Sequence, residues 1–71
     1  MKAYSLVGVD GNAFNVMGYT ARAMKDARFD KLEINKMYEE AQSGDYNNLL
    51  CVCMSYIDKV NEKLGFENEE D

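Results

Sequence analysis

Apolar residues recur between residues 46 and 64 at a spacing that predicts one long helix. We call this row of apolar residues the seam. The seam consists of Tyr46, Leu50, Cys53, Ile57, Val60 and Leu64. Its members recur at alternating steps of four and three residues, the interval that places side chains on one face of an α-helix. Asp45 can cap this helix and Gly65 can end it. The pattern therefore predicts a helix of about five turns.

A second apolar stripe lies beside the first half of the seam. It consists of Leu49, Val52 and Tyr56. The two stripes together make the first half of the helix apolar over more than half of its circumference, which is too wide for one contact surface. We therefore expect this helix to be the central element of the fold, packed against neighbours on two sides.

Residues 13 to 27 are predicted to form the first helix, with Asn12 as its N-cap. Its apolar face consists of Ala13, Val16, Met17, Thr20, Ala23, Met24 and Ala27. Phe14, Gly18 and Ala21 mark a second edge of apolar or small residues. A glycine inside a helix costs up to about 1 kcal/mol relative to alanine. Gly18 is therefore expected either to admit a neighbouring backbone closely or simply to be tolerated.

A second helix is predicted to begin after Asp30, which forms the pattern of a capping box with Glu33. Ser43 and Gly44 are predicted to end it, because glycine suits the left-handed position after a helix. The apolar stripe of this helix consists of Leu32, Ile34, Met37, Tyr38 and Ala41. The chain is thus predicted to contain three helices.

Residues 3 to 9 combine β-branched and aromatic residues with partial alternation and are predicted to form a short strand. The best internal partner, residues 28 to 34, favours helix by its cap and spacing. We therefore expect the strand to pair antiparallel with its counterpart in a second copy, across a two-fold axis. The predicted dimer interface is Tyr4, Ser5, Leu6 and Val7. The predicted fold is mainly α, in the α+β class: a short strand, three helices and a homodimer.

The chain length favours the same assembly. With 71 residues and no disulfide pattern, a lone chain would barely offset the conformational entropy of folding by apolar burial. We expect one helical domain over residues 1 to 65 and a disordered acidic tail over residues 66 to 71. Most of the net charge of -5 belongs to that tail, which contains Glu67, Glu69, Glu70 and Asp71.

The absence of histidine removes the usual general base near neutral pH and the commonest transition-metal ligand. We therefore predict no enzyme, no catalytic residue, no metal and no cofactor. Cys51 and Cys53 diverge on a helix, so they cannot pair with each other, and they are expected to be small packing residues in a reducing cytosol. The first residues lack the apolar stretch of a signal peptide, which favours a cytoplasmic location.

Nucleic acid and membrane are not expected partners. Five of the eight bases fall within fifteen residues, namely Arg22, Lys25, Arg28, Lys31 and Lys36. Acidic residues are interleaved among them, and the sequence pI of about 4.6 disfavours binding to a phosphate backbone. No apolar run is long enough to span a bilayer.

Two short loops each lead into a helix N-terminus and form the candidate ligand site. The first contributes Asp10, Gly11 and Asn12, and the second contributes Asp45, Tyr46 and Asn47. The simpler interpretation is a turn and a cap at each loop. If the loops meet in space, they could form a small polar pocket for a cation or for a ligand that carries a hydroxyl or an amine.

Two motifs carry a resemblance to a known group of proteins. They are G-V-D-G-N-A-F, from Gly8 to Phe14, and S-G-D-Y-N-N-L-L, from Ser43 to Leu50. In both, the chain resembles a family of small proteins of bacteriophages, prophages and bacteria, to which no activity is assigned. At position 48 it has Asn where those proteins often have histidine. The resemblance implies a mobile-element or accessory role, and hence a partner rather than a pathway substrate.

The preferred function is a small non-enzymatic protein that binds another protein as an adaptor or modulator. Its expected partners are a second copy of itself and a host protein, which it engages through the dimer surface. The alternative is a module that binds a small ligand or a cation with the loops at residues 10 to 12 and 45 to 47.

Overall fold

The computed structural model describes residues 3–65, and three helices contain most of them. Helix α1 spans Ala13–Asp26, α2 spans Lys31–Ala41 and α3 spans Tyr46–Leu64. The prediction of a mainly helical chain with three helices in this order is confirmed. The strand predicted ahead of them is not: no strand occurs within the described residues.

All three helices begin directly after the residue that the sequence predicts as the N-cap. In each case a side-chain oxygen accepts a hydrogen bond from a free N–H group of the first helical turn. The bonds are Phe14 N to Asn12 Oδ1 at 2.8 Å, Glu33 N to Asp30 Oδ1 at 3.0 Å and Asn48 N to Asp45 Oδ1 at 2.9 Å. Local sequence therefore fixes where each helix starts.

The helix ends follow the prediction only in part. Gly65 ends α3 in the left-handed conformation, with φ of 86°. Gly44 was expected to do the same for α2, and that expectation is wrong, because α2 ends at Ala41 with Gln42 as its C-cap, and Gly44 does not have a positive φ. Glycine is needed at position 44 for space, since a Cβ there would lie 2.9 Å from Cβ of Asn48.

Arg28 occupies the left-handed position at the end of α1, with φ of 69°. Its N–H donates to Lys25 O at 2.9 Å, and the N–H of Phe29 donates to Met24 O at 2.9 Å. This pair of bonds is the Schellman motif, in which glycine is the usual residue at the left-handed position. Arg28 therefore carries backbone strain that a glycine would not.

We expect Arg28→Gly to raise the free energy of unfolding by about 1 kcal/mol, because glycine adopts the left-handed conformation without the steric cost of a Cβ. The melting temperature should rise by roughly 4–8 °C in a domain of this size. Thermal unfolding followed by circular dichroism measures the change. Arg28→Ala is the control, since it removes the same side chain and keeps the Cβ. Equal melting temperatures for the two variants would contradict the strain at position 28.

Helix α3 packs against both α1 and α2, and each of these contacts is more extensive than that between α1 and α2. The predicted central position of α3 is confirmed. The largest fully buried side chains come from all three helices and are Met24, Met37, Val60, Thr20 and Cys53. At the two ends of the α3 seam, Tyr46 and Leu64 are 43% and 40% exposed.

Leu32 does not join the apolar stripe predicted for α2. It is 78% exposed, whereas Ile34, Met37 and Ala41 are buried. Leu32 lies in the first turn of α2 and faces away from α1 and α3. The prediction that it is part of the buried stripe is therefore wrong.

Residues 3 to 9 run as an irregular segment whose backbone bonds to side chains instead of to a strand. The N–H of Tyr4 donates to Asn61 Oδ1 at 2.9 Å, and Asn61 Nδ2 donates to Tyr4 O at 2.9 Å. The side-chain amide of Asn61 has a donor and an acceptor next to each other, so it can bond to the N–H and the C=O of one residue as a neighbouring strand does. We call this pair of bonds the Asn61 clasp. It satisfies both peptide groups of Tyr4 within one chain.

Other side chains bind the same segment. The N–H of Ser5 donates to the hydroxyl of Tyr19 at 2.9 Å, and the hydroxyl of Tyr4 donates to Asp26. These contacts explain why the strand prediction was wrong: it assumed that only another strand could satisfy the segment. The reason for pairing Tyr4, Ser5, Leu6 and Val7 across a homodimer is thereby removed.

Within residues 3–65, no helix combines the length and the apolarity needed to cross a bilayer. The longest, α3, carries charged side chains through its second half, including Asp58, Lys59, Glu62 and Lys63. The predicted acidic tail at residues 66 to 71 lies outside the described residues.

Candidate functional site

The two loops predicted to form a site do meet. The hydroxyl of Tyr46, in the first turn of α3, donates a hydrogen bond to the carbonyl oxygen of Gly11, just before α1. A Cβ on Gly11 would lie 3.4 Å from that hydroxyl, which is an ordinary van der Waals contact. The structure thus brings the starts of α1 and α3 to the same end of the bundle.

The polar side chains of these loops are bound to their own chain. Asp10 accepts from Asn12 N at 3.4 Å and from Asn15 Nδ2 at 2.9 Å. Asn12 and Asp45 use a side-chain oxygen each to cap α1 and α3. Asn47 is exposed. The turn and cap interpretation therefore accounts for these oxygens, and a ligand role for Asp10, Gly11, Asn12, Asp45, Tyr46 and Asn47 stays a prediction.

The described residues offer few free ligands for a metal ion. Within residues 3–65, no group of three or more His, Cys, Asp or Glu side chains lies close enough to hold a metal ion. Carboxylate oxygens are ligands for hard cations, and both oxygens of Asp10 and one oxygen of Asp45 already accept hydrogen bonds from neighbouring amides.

The main feature that the sequence did not reveal is the exposure of Phe14. This residue lies in the first turn of α1 beside the Tyr46 contact, and 79% of it is exposed. It lines two grooves, one on each side of it. We call Phe14 and these two grooves the Phe14 surface.

The first groove, of about 320 Å³, lies between the starts of α1 and α3 and the end of α2. Its lining is mostly apolar and includes Ala13, Met17, Ala41, Tyr46 and Leu49. The second groove, of about 540 Å³, follows the outer face of α1. Its lining includes Val9, Asp10, Gly18, Tyr19 and Arg22. Both are open to solvent and large enough for side chains of another molecule.

Gly18 forms part of the second groove. A Cβ at this position would meet no atom within 4 Å, so no neighbouring backbone of the described chain explains the glycine. Because glycine in a helix interior costs up to about 1 kcal/mol, the described fold would be more stable with alanine here. The glycine leaves the backbone of α1 open to approach from the groove.

The Phe14 surface carries slightly more negative than positive charge. Asp10 and Arg22 line the second groove, and Asp45 lines the first. The whole chain has a net charge of -5, so its long-range field also attracts cations.

Asn48 joins α2 to α3. Its Nδ2 donates to Glu40 O at 3.0 Å and also lies 3.5 Å from Ala41 O. Its backbone N–H donates to the capping oxygen of Asp45. The side chain is half-buried. These bonds give Asn48 a structural role at the α2–α3 turn.

Tyr56 makes a polar contact across α2 and α3. Its hydroxyl donates to Glu40 Oε1 at 3.0 Å. Burial, followed by the hydrogen bond to Glu40 and the charge of that carboxylate, raises the pKa of Tyr56 from 10.0 to about 12. The folded state therefore holds the phenolic proton more tightly than the unfolded state does.

We expect Tyr56 to make folding stability fall as the pH rises from 10 towards about 12. The contribution is complete below pH 10, and it is lost above because the unfolded chain releases the proton first. Tyr56→Phe should lower stability near neutral pH by about 1 kcal/mol, through loss of the hydrogen bond, and should make the alkaline fall shallower. Urea unfolding at several alkaline pH values measures the slope. An unchanged slope in the variant would contradict the assignment.

The two cysteines differ. Cys53 is fully buried in the core, and burial raises the pKa of its thiol. Cys51 is exposed, which corrects the prediction that both are packing residues. The thiol groups are not joined to each other.

Comparison with protein-family models, with curated proteins and with solved structures finds no match to this chain. A proposal about its function therefore rests on the residues and geometry of the chain itself.

Proposed function

We propose that this chain is a small non-enzymatic binding protein that receives a segment of another protein on the Phe14 surface. The observation that carries the proposal is the exposure of Phe14, 79%, at the junction of two grooves. Buried aromatic side chains supply much of the binding energy of protein interfaces. Phe14 is placed to become such a side chain when a partner covers it.

The shape of the two grooves favours a segment over a broad flat partner. One groove continues along α1 past Gly18, where nothing restricts approach to the backbone. The other offers an apolar depression beside Tyr46 and Leu49. A segment that places an apolar side chain beside Tyr46 and runs along Gly18 would use both.

The charges on the Phe14 surface indicate which charged residues the partner segment contains. Asp10 and Asp45 lie on the surface with one base, Arg22, and the chain is acidic overall. Complementary charge speeds association and fixes orientation. The proposed partner segment therefore has an apolar side chain flanked by lysine or arginine.

A cytoplasmic, phage-related or prophage-related accessory protein with a host-protein partner fits this proposal and the resemblance of the two motifs. Dimer pairing through residues 4 to 7 is not part of it, because the Asn61 clasp engages the peptide groups of Tyr4. The alternative, a ligand or cation pocket at residues 10 to 12 and 45 to 47, has less support, because local hydrogen bonds engage three of its polar side chains.

Peptide display against the full chain tests the proposal. We expect selected sequences to share an apolar residue next to a basic one. Phe14→Ser should weaken binding of a selected synthetic peptide at least about tenfold, which corresponds to loss of roughly 1.4 kcal/mol. Leu32→Ser is the matched control, because Leu32 is 78% exposed and Phe14 79%. Equal binding by wild type and Phe14→Ser, or a selection with no shared pattern, would overturn the proposal.

Gly18→Ala provides a second variant that cannot fail through unfolding. The added Cβ meets nothing within 4 Å in the folded chain. We expect this variant to melt at a higher temperature and to bind the peptide more weakly. A more stable variant with unchanged affinity would show that the segment does not run along Gly18.

A further inference from the structure

A third groove, of about 500 Å³, lies between the second half of α1 and α2, and it shares no lining residue with the Phe14 surface. Ala21 and Ile34 contribute apolar lining and are 9% and 8% exposed. Phe29 and Tyr38, both half-buried, add aromatic rings. The groove therefore offers a partly dry apolar surface beside two rings, in the size range of small-molecule sites.

The charge of this groove is opposite to that of the chain. Lys25 and Lys31 line it, and no carboxylate is among its described lining residues. Residues 3 to 65 contain nine acidic and seven basic residues, so a lining with two ammonium groups and no acid is more positive than the described chain as a whole. We call it the lysine groove.

A third cation lies next to it. Nζ of Lys63 is 4.6 Å from the centroid of the Phe29 ring and donates to Arg28 O at 3.4 Å. The ammonium group thus covers Phe29 from the α3 side, where a cation–π contact holds it. It adds positive charge beside the groove and helps to fix one of its rings.

Another groove, around Cys51, resembles the lysine groove but also contains a carboxylate. It also has two lysines, Lys36 and Lys59, and an aromatic ring, Tyr56, with Lys59 Nζ 4.8 Å from the ring centroid. Glu40 lines it as well and offsets part of the positive charge. Its volume is about 280 Å³. The two grooves form a natural pair for comparison.

We infer that the lysine groove binds a small aromatic anion, with the ring on the apolar lining between Phe29 and Tyr38 and the carboxylate or phosphate between Lys25 and Lys31. Apolar contact and charge attraction act on different parts of such a ligand, so both are needed for affinity. A long polyanion is a poorer fit, because the net charge of -5 repels it beyond the groove.

Two-dimensional NMR of the full chain with phenyl phosphate as the probe tests this inference. We expect the amide shifts of Ile34 and Asn35 to move and to saturate. Inorganic phosphate, which lacks the ring, and benzyl alcohol, which lacks the charge, should each bind at least about tenfold more weakly. Shifts that are absent, that spread evenly over the chain, or that benzyl alcohol reproduces at the same concentration would overturn the inference.

Lysine variants test whether Lys25 and Lys31 bind the anionic group of the probe. Lys25→Gln and Lys31→Gln should each weaken phenyl phosphate binding about fivefold, because each removes one positive charge from the groove. Lys59→Gln, in the groove around Cys51, should leave the affinity unchanged. Melting temperatures of all three variants should stay near that of the wild type, so a loss of binding would not reflect unfolding. Equal affinity in the Lys25→Gln, Lys31→Gln double variant would refute the inference.

Discussion

Replacing Met24 with alanine is expected to lower the free energy of unfolding by about 3 kcal/mol or more. Met24 is fully buried among the three helices and is one of the largest such side chains. Truncating a buried methionine to alanine costs about 2–5 kcal/mol, because the core loses apolar contacts and retains part of the cavity. The stability of a small domain lies near the low end of about 5–15 kcal/mol. The variant should therefore be close to unfolding at moderate temperature.

Urea unfolding followed by circular dichroism measures this effect, and thermal melting should show a drop of more than about 10 °C. Met54→Ala is the matched control, because Met54 lies on α3 and is 56% exposed. Its stability should change by less than about 0.5 kcal/mol. If the two methionine variants lost similar stability, the described core would be wrong.

Asn61→Ala is expected to cost about 2 kcal/mol and to release the amino-terminal segment from α3. The variant removes both bonds of the Asn61 clasp, each 2.9 Å long. Two half-buried peptide groups of Tyr4 then lose their partners, and an unsatisfied buried group costs about 1–3 kcal/mol. The side chain of Asn61 is itself 6% exposed, so water does not replace it freely.

Amide hydrogen exchange gives the specific readout. The N–H of Tyr4 should exchange slowly in the wild type and quickly in Asn61→Ala. In Asn61→Asp the acceptor remains and the donor is lost, so the fold should be destabilised while the Tyr4 N–H keeps part of its protection. Asn47→Ala is the control on the same helix, since Asn47 is exposed. Unchanged exchange at Tyr4 in Asn61→Ala would contradict the clasp.

The helices could be predicted because their signals are local. The caps Asn12, Asp30 and Asp45 bond to amides two or three residues away, and the seam of α3 follows a helical period. The central position of α3 followed from the width of its apolar surface, which only two neighbours could cover. These features depend on a few adjacent residues, so sequence alone is enough to find them.

The amino-terminal segment could not be predicted because its partner is distant. Tyr4 and Asn61 are 57 positions apart, and Asn61 looks like an ordinary polar residue of a helix. Strand propensity at residues 3 to 9 says nothing of which group satisfies their peptide groups. It also missed the turn in the second half of the segment, where the N–H of Val9 donates to Leu6 O at 3.1 Å. A side-chain amide in place of a strand leaves no pattern in the sequence.

The sequence predicts only part of the candidate surface that the structure shows. The two loop motifs identified the end of the bundle where Gly11 and Tyr46 meet. The exposure of Phe14 and Leu32 depends on how the helices pack, and both residues share a helix with apolar side chains that are buried. Apolar residues at the margin of a helical face can point either way, so a periodic pattern does not separate them.

The Asn61 clasp also has a consequence for how the chain behaves when concentrated. Extended segments with free peptide groups act as templates onto which other chains add, and this is how ordered aggregates grow. In this chain one asparagine closes both peptide groups of Tyr4 from within. We therefore expect the residue that holds the amino-terminal segment in place also to keep the peptide groups of Tyr4 from pairing with another chain.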